Sequence, residues 1–306
     1  IRDRSIRDVT KVTTKRGHTI RIETNEEEEV GWGSPFLKDS TLEGLDPDKV
    51  KIGMKNEMES MDRFGVYQEV HKEALTQEQS KGVIATRWVL KEKGNEVRAR
   101  LVVKGYDQKL NENDDTYAST PLLLSLKILM QFALKNDYKI ISGDISTAFL
   151  HAEMTDEEPI FVKPPSEYYD DKNIVWKLKR PLYGLKTAPR AWQDHFANLL
   201  QKMGGIRSKA EPNVYYFPSE ENWLMVYVDD VIILGKSPDE LFERIKKKVL
   251  LRSTGELQEG QTIEFLGRQI KHEGDMIKII PAKNYIQNMI EENGMAKAKS
   301  VTTPGT

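Results

Sequence analysis

The sequence predicts an α+β fold built on a mainly antiparallel sheet. Apolar runs rich in β-branched residues alternate with amphipathic helical stretches. Several of those runs are joined by a few turn-forming residues, which makes hairpins and hence antiparallel pairs. The hairpins interrupt the strand–helix–strand rhythm that a doubly wound parallel sheet needs.

Residues 1–48 read as linker: a basic block, then Glu26-Glu27-Glu28-Glu29, then Gly-Trp-Gly-Ser-Pro, with no helical or strand period. Order begins near Pro47. Met54, Met58, Met61 and Phe64 share one helical face, a stripe that reads as core packing. Gly82–Leu90 reads as a strand, 91–96 as a turn around Gly94-Asn95, and Val97–Lys104 as the return strand. Pro121–Asn136 is a helix with Pro at its start. Tyr138–Ile145 is an apolar strand running into Asp144, and Ala188–Gly204 is a helix carrying Trp192, Phe196, Leu199 and Leu200 on one face. Asn222–Leu234 is two apolar strands meeting at Asp229-Asp230. Pro238–Leu251 reads as a helix with a basic end, Thr262–Ile270 and Met276–Ile280 as strands, and Ala282–Asn293 as a last helix.

Composition bounds the rest. The 306 residues suffice for one large domain or two ordinary ones. Hydrophobic residues are 38% and charged residues 31%, but 11 Tyr, 9 Phe and 5 Trp can anchor a core, which excludes wholesale disorder. The absence of Cys excludes disulfides, thiolate metal sites and a Cys nucleophile. It fits an intracellular setting. No apolar run approaches the roughly 20 residues of a membrane span, and no apolar segment opens the chain as a signal peptide would. The first residue, Ile1, reads as the start of a piece of a longer polypeptide. Net charge is 46 − 48 = −2, yet it is unevenly spread. Lys81–Lys104 holds seven basic residues against Glu92 and Glu96, and Lys172–Lys209 holds nine against Asp194. An acidic stretch separates them. The segments are either solvated surface or two basic walls along a polyanion path.

Two apolar strands end in carboxylates, at Asp144 and at Asp229-Asp230. Repulsion and desolvation both oppose two adjacent acids between β-branched runs. The acids are then either an exposed Asp-Asp turn or a cation site. Hard divalent ions want clustered carboxylate oxygens, and neighbouring strand ends can bridge two ions about 3.5–4 Å apart for in-line phosphoryl transfer. The five His are scattered (18, 71, 151, 195, 272), which fits oxygen ligands and not a zinc site.

At this point the chain resembles a family. Tyr227-Val228-Asp229-Asp230 between apolar strands resembles the catalytic hairpin of reverse transcriptases. Gly143 to Leu150 (GDISTAFL) resembles the motif carrying the first catalytic Asp. Arg98 to Tyr106 (RARLVVKGY) resembles the fingers segment of the copia (Pseudoviridae) type, and Pro181 to Trp192 (PLYGLKTAPRAW) is similar to that group's YGLKQ-x-P-R-x-W signature. Glu264-Phe265-Leu266-Gly267 resembles the primer-grip segment, and Tyr285-Ile286 and Thr303-Pro304 resemble the copia pattern. The blocks stand in family order over roughly residues 50–306. Two departures are visible: Thr187 stands where the family usually has Gln, and the fingers spacing is compressed.

The resemblance implies a right-hand palm–fingers–thumb fold, with residues 1–48 as linker, 49–270 as fingers and palm, and 271–306 as the start of the thumb or connection, the RNase H domain being absent. It implies an RNA-directed DNA polymerase of a retrotransposon Pol polyprotein. The primer 3′-hydroxyl would attack a dNTP with two Mg²⁺ ions (Mn²⁺ as substitute) on Asp144, Asp229, Asp230 and the Ile145 carbonyl. Lys91, Lys93, Arg98 and Arg100 would clamp the triphosphate. Phe149 would pack on the sugar and leave no room for a 2′-hydroxyl, whereas palm-type RNA polymerases carry an Asp at this spacing. Tyr183 and Gly184 would lie under the templating base pair. Tyr227, Val228, Phe265, Leu266, Gly267, Lys186 and Arg190 would meet template or primer. Partners would be an RNA or DNA template with its primer, dNTPs, and the integrase and RNase H segments, with no membrane. The location would be the cytoplasm, a virus-like particle or the nucleus. The alternative is an inactive remnant that binds nucleic acid without polymerising.

Overall fold

The computed structural model describes residues 10–13, 19–22, 45–110, 114–154, 157–169, 171–281 and 283–298. Most of the expected linker, and Thr303-Pro304, lie outside the described residues. Within the linker, β1 (Thr10–Thr13) pairs with β2 (Thr19–Ile22), a hairpin the sequence did not announce. Along the chain follow α1 (Pro47–Phe64), β3 (Tyr67–His71), α2 (Gln77–Lys81), β4 (Thr86–Lys93), β5 (Glu96–Val103), α3 (Leu123–Lys135), β6 (Lys139–Ile145), β7 (Phe161–Val162) and β8 (Ile174–Leu178). Then come α4 (Ala188–Lys202), β9 (Ile206–Arg207), β10 (Val214–Phe217), β11 (Asn222–Tyr227), β12 (Asp230–Gly235) and α5 (Pro238–Lys246). The chain closes with β13 (Leu251–Glu256), β14 (Thr262–Phe265), β15 (Arg268–Glu273), β16 (Met276–Pro281) and α6 (Lys283–Glu292). Every ladder between these strands is antiparallel, so the fold is a mixed one with antiparallel sheets.

The chain forms two compact units, Ile1–Ala118 with Phe149–Phe196, and Ser119–Ala148 with Ala197–Thr306. In the first, α1 starts at Asp46, whose carboxylate accepts from the Asp48 N–H at 2.9 Å, with Pro47 in the first turn. It stops at Gly65, whose φ of +60° is the left-handed cap that glycine takes without strain. Gly53 lets the helix lie directly on β5: a Cβ there would come within 2.3 Å of the Val97 carbonyl. The Met stripe is core, as expected. Met54 packs with Leu90, Val97 and Ala99, while Met58 and Met61 join Leu101, Val103, Trp176 and Leu178. β3, β8 and β7 form a three-stranded sheet, on which Tyr67 stacks against Trp176 at 3.8 Å.

The second unit is built on a six-stranded sheet in the order β13-β6-β12-β11-β10-β9, with β14-β15-β16 as a smaller sheet. Leu126, Met130, Ile140, Met225, Ile232 and Leu234 form its core. A buried carboxylate holds the start of α3. One oxygen of Glu211 accepts from the Leu122 N–H at 2.9 Å and the Ser125 hydroxyl at 3.1 Å. The other accepts from the Asn213 N–H at 3.3 Å and its side-chain amide at 3.1 Å. The negative charge thus sits at a helix N-terminus, where the backbone dipoles favour it.

Three expected elements change. The strand expected over 82–90 runs Thr86–Lys93, and the turn expected over 91–96 narrows to Gly94-Asn95, because residues 91–93 pair with 96–98 in the ladder. The basic helix ends at Lys246, and Leu251 opens β13 instead, because Leu251 is buried against the sheet and pairs with Ile145. Ladder and burial override the helical preference of the Lys run. The expected strand over 262–270 is two strands, folded back at Leu266-Gly267, where φ is +54° and +62°. Two left-handed residues in sequence make the tight hairpin turn.

Candidate active site

The antiparallel register assembles the acids. Asp144 on β6 lies opposite Asp230 on β12, and Asp230 lies opposite Tyr227 on β11. On its other side Asp144 lies opposite Arg252 on β13. Directly opposed residues share a sheet face, so Arg252, Asp144, Asp230 and Tyr227 form one row across four strands. One residue further in, Val231 and Val226 point to the other face and are buried. Ile232, which shares the acids' own face, is buried as well, so both faces of these strands are packed and the half-buried acids stand at the strand ends. Gly143 supports the row from beneath. A Cβ there would meet the Phe242 ring at 2.8 Å and Leu251 at 2.9 Å, so glycine lets α5 and β13 close on β6 just before Asp144.

Val228 and Asp229 form the two-residue tip between β11 and β12. Val228 has φ +52°, which a β-branched residue rarely adopts. Such a conformation costs about 1–3 kcal/mol and persists only where surroundings impose it. The Asp229 carbonyl accepts from the Ile145 N–H at 2.7 Å, tying the tip to the end of β6. Burial raises the Asp230 carboxyl to a pKa of about 7, and the charges of Asp229, Asp144 and Glu264 push the same way. Arg252 donates to Asp144 Oδ2 at 2.7 Å. Among the described residues, no group of three or more His, Cys, Asp or Glu side chains is already arranged as a metal cage. The donor set nevertheless suits a hard cation: carboxylate oxygens from two strands and a turn, crowded enough that Asp229 and Asp144 help to raise Asp230. Mg²⁺ keeps waters and phosphate ligands, so it needs few protein oxygens.

The cations stand in the first unit, on β4 and β5. Lys91 lies opposite Arg98, Lys93 opposite Glu96, and Arg100 opposite Val89. All four basic residues therefore share one face of the hairpin, while Val97, Ala99 and Leu101 point into the core. The Arg100 guanidinium lies 4.3 Å from the Tyr183 ring centre, and the Phe149 ring centre lies 4.9 Å from that of Tyr183. Glycine makes the approach beneath this stack possible. A Cβ on Gly105 would fall 1.8 Å from the Gly184 carbonyl, and one on Gly184 would fall 2.1 Å from the Val103 carbonyl. The Val103 N–H donates to the Tyr183 carbonyl at 2.8 Å.

Other expected contacts are placed differently. Phe265 is buried in the core of the second unit and Leu266 packs half-buried against it, so these side chains are packing groups, and the exposed residues of that segment are Glu264 and Gly267. Lys186 donates to the Gln108 carbonyl at 2.9 Å, and Arg190 pairs with Asp194 at 2.7 Å and Asp115 at 2.9 Å, so both cations already have partners within the first unit. Tyr285 and Ile286 lie on α6, whose first-turn side chains are outside the described residues. The sequence reading missed Gln108 and Arg252. Gln108 is buried; its amide oxygen accepts from the Lys186 N–H at 2.7 Å and its amide nitrogen donates to Thr187 Oγ1 at 3.4 Å. Thr187, the departure from the family signature, is thus part of the bracing under Tyr183-Gly184. A lone Gln in a polar loop carries no sequence signal for this, and Arg252 lies just past the expected helix of 238–251, in a stretch with no expected element.

The chain is similar to known proteins. The family model described as reverse transcriptase (RNA-dependent DNA polymerase) matches residues 71–306. The chain is 31% identical over 273 residues to the retrovirus-related Pol polyprotein from transposon TNT 1-94 of Nicotiana tabacum, covering 84% of this chain and 20% of that one. It is 28% identical over 236 residues to the retrovirus-related Pol polyprotein from transposon RE1 of Arabidopsis thaliana, covering 72% and 16%. It is 32% identical over 166 residues to the putative transposon Ty5-1 protein of Saccharomyces cerevisiae, covering 53% and 52%. The chain therefore spans a fifth or less of the two polyproteins and about half of the Ty5-1 protein. No helix among the described residues is long and apolar enough to cross a membrane. With acids and cations set out in this order, and with these relatives, the chain belongs to the reverse transcriptase family of RNA-directed DNA polymerases, as a copia-type domain.

Proposed function

We propose that this chain extends a primer 3′ end with dNTPs on an RNA or DNA template, as the polymerase segment of a retrotransposon Pol polyprotein. The observation that carries the reading is the row Asp144–Asp230, closed by Asp229 at the strained tip. In this reading the second unit is the palm, the first unit carries the fingers, and 271–306 begins the thumb or connection. Asp144, Asp229 and Asp230, with the Ile145 carbonyl, hold divalent cations. When bound, Mg²⁺ (or Mn²⁺) activates the primer hydroxyl as a Lewis acid and offsets charge on the departing pyrophosphate.

The chain's own residues do the rest. Asp230, raised to about 7, is the acid whose ionisation waits for a cation or a higher pH. Lys91, Lys93, Arg98 and Arg100 take up the triphosphate's negative charge through charge-assisted hydrogen bonds. Arg100 is preoriented on the Tyr183 ring, and Phe149 beside it presents a bulky face to the sugar, which selects against a 2′-hydroxyl. The Tyr183-Gly184 turn, Tyr227, Val228 and the Leu266-Gly267 turn offer backbone and ring surface to template and primer. The working location is wherever the polyprotein's nucleic acid is copied, in the cytoplasm or a virus-like particle.

Primer extension on an RNA template with dNTPs and Mg²⁺ tests this. Extension that stops on chelation is expected. Tight binding of primer–template with no extension in Mg²⁺ or Mn²⁺ would identify a nucleic-acid-binding remnant instead.

A further inference from the structure

The carboxylate row ends on a cation that the protein itself supplies. Arg252 faces Asp144 across the β13–β6 ladder and donates to Asp144 Oδ2 at 2.7 Å. The two side chains are unequally held. Asp144 is 27% exposed, whereas Arg252 is 64% exposed. The carboxylate is fixed in the middle of the sheet, with Asp230 opposite it on the other side. The guanidinium sits at the end of a long, solvated stem and can leave without any movement of the ladder. Its strand is pinned independently of this contact, by buried Leu251 and by the close approach at Gly143.

Without Arg252 the row would set Asp144 against Asp230, with Asp229 close by. Arg252 removes that repulsion at one end. It also occupies a carboxylate oxygen that a divalent cation would use, and among the described residues the acids do not form a ready cage. We propose that Arg252 is a positioning residue that holds the Asp144 carboxylate in the cation-free protein and yields it to an incoming divalent cation, so that guanidinium and cation compete for the same oxygen. The inference rests on the metal-site reading above. It assigns a role to a residue outside the acidic motifs: Arg252 weakens cation binding to the protein alone, and in exchange stabilises the row while no cation is there.

The test is a Mn²⁺ titration of the parent, Arg252→Gln and Asp144→Asn proteins without nucleotide, read as free Mn²⁺ by electron paramagnetic resonance. Arg252→Gln is expected to bind Mn²⁺ about three- to ten-fold more tightly, the loss of a partly enclosed ion pair. Its melting temperature in chelator should fall below the parent's and recover more on adding cation. Asp144→Asn should lose the binding. Unchanged or weaker Mn²⁺ binding by Arg252→Gln, while Asp144→Asn still loses it, would overturn the competition and leave the metal site standing. Parent-like binding by Asp144→Asn would overturn the metal site itself, and the competition with it. Arg252→Lys, which keeps the charge but not the planar fork, covers the case in which the Gln variant fails to fold. It should bind Mn²⁺ with intermediate affinity, and parent-like affinity would count against the proposal.

Discussion

The acids of the second unit sit in the middle of a six-stranded sheet, whereas the cations of the first stand on a two-stranded hairpin with Lys91, Lys93 and Arg98 exposed to water. The difference follows from charge. Like-charged carboxylates side by side repel, so only a ladder with neighbours on both sides keeps Asp144 and Asp230 opposed. Solvated cations cost little to hold apart, and flexible stems let them adapt to a ligand. Within each unit, then, rigidity goes with charges that oppose one another and adaptability with charges that water already stabilises.

If this contrast is right, the hairpin's rigidity lies at its base and not at its charged tip. Gly105→Ala forces a Cβ onto the Gly184 carbonyl at 1.8 Å and should cost about 3 kcal/mol or more in thermal unfolding. Gly94→Ala at the tip, with φ +60° and open space around it, should cost about 1 kcal/mol. Equal losses would erase the distinction. On the acid side, Glu211→Ala leaves the Leu122 N–H and Asn213 without their acceptor and should cost about 2–3 kcal/mol by denaturant titration. A neutral result would show that the start of α3 does not need that charge.

The adaptable side is sharpened by kinetics. Arg98→Gln and Arg100→Gln should each raise the dNTP KM about ten-fold, and the pair about a hundred-fold. Primer–template affinity should change much less. Arg100 should be the more damaging of the two, because the Tyr183 ring preorients it. The rigid side is sharpened by pH. Folded Asp230 holds its proton up to about 7, whereas the unfolded carboxyl, at its ordinary value of 3.8, releases it. The native state then binds the extra proton between those values, so cation-free stability falls as pH rises from about 4 to about 7. Unfolding midpoints at pH 5 and pH 8 in chelator should show this fall, and Asp230→Asn should flatten it. Divalent-cation affinity should move the other way, rising with pH through 7.

Much of this architecture is legible in the residues. The Met stripe of α1 and the apolar strands entering Asp144 and Asp229 each carry a local period and appear where that period puts them, and the basic hairpin appears with its first strand shifted to 86–93. What escapes the sequence is what tertiary pairing decides. β3, β7 and β8 are only two to five residues long, and they become strands by packing on one another and on α1. The expected helix runs on to Leu251, because Lys246-Lys247-Lys248 gives no stop signal, and residues 252–261 carry no period of their own, so Arg252 could not be placed beside Asp144. Glu211 and Gln108 are polar residues in loops, and only the fold shows them buried. The acids were readable because placing them between β-branched runs is costly. The residues that brace them were not, because a brace looks like any other polar side chain until its partners are known.

The central claim is that the row of Asp144 and Asp230, with Asp229 at its tip, performs the chemistry. It is tested most directly by single-nucleotide incorporation with the parent and Asp229→Asn, alongside primer–template binding by both. The account expects incorporation to fall about a thousand-fold or more, with binding within about three-fold of the parent. Incorporation by Asp229→Asn at the parent's rate would contradict it.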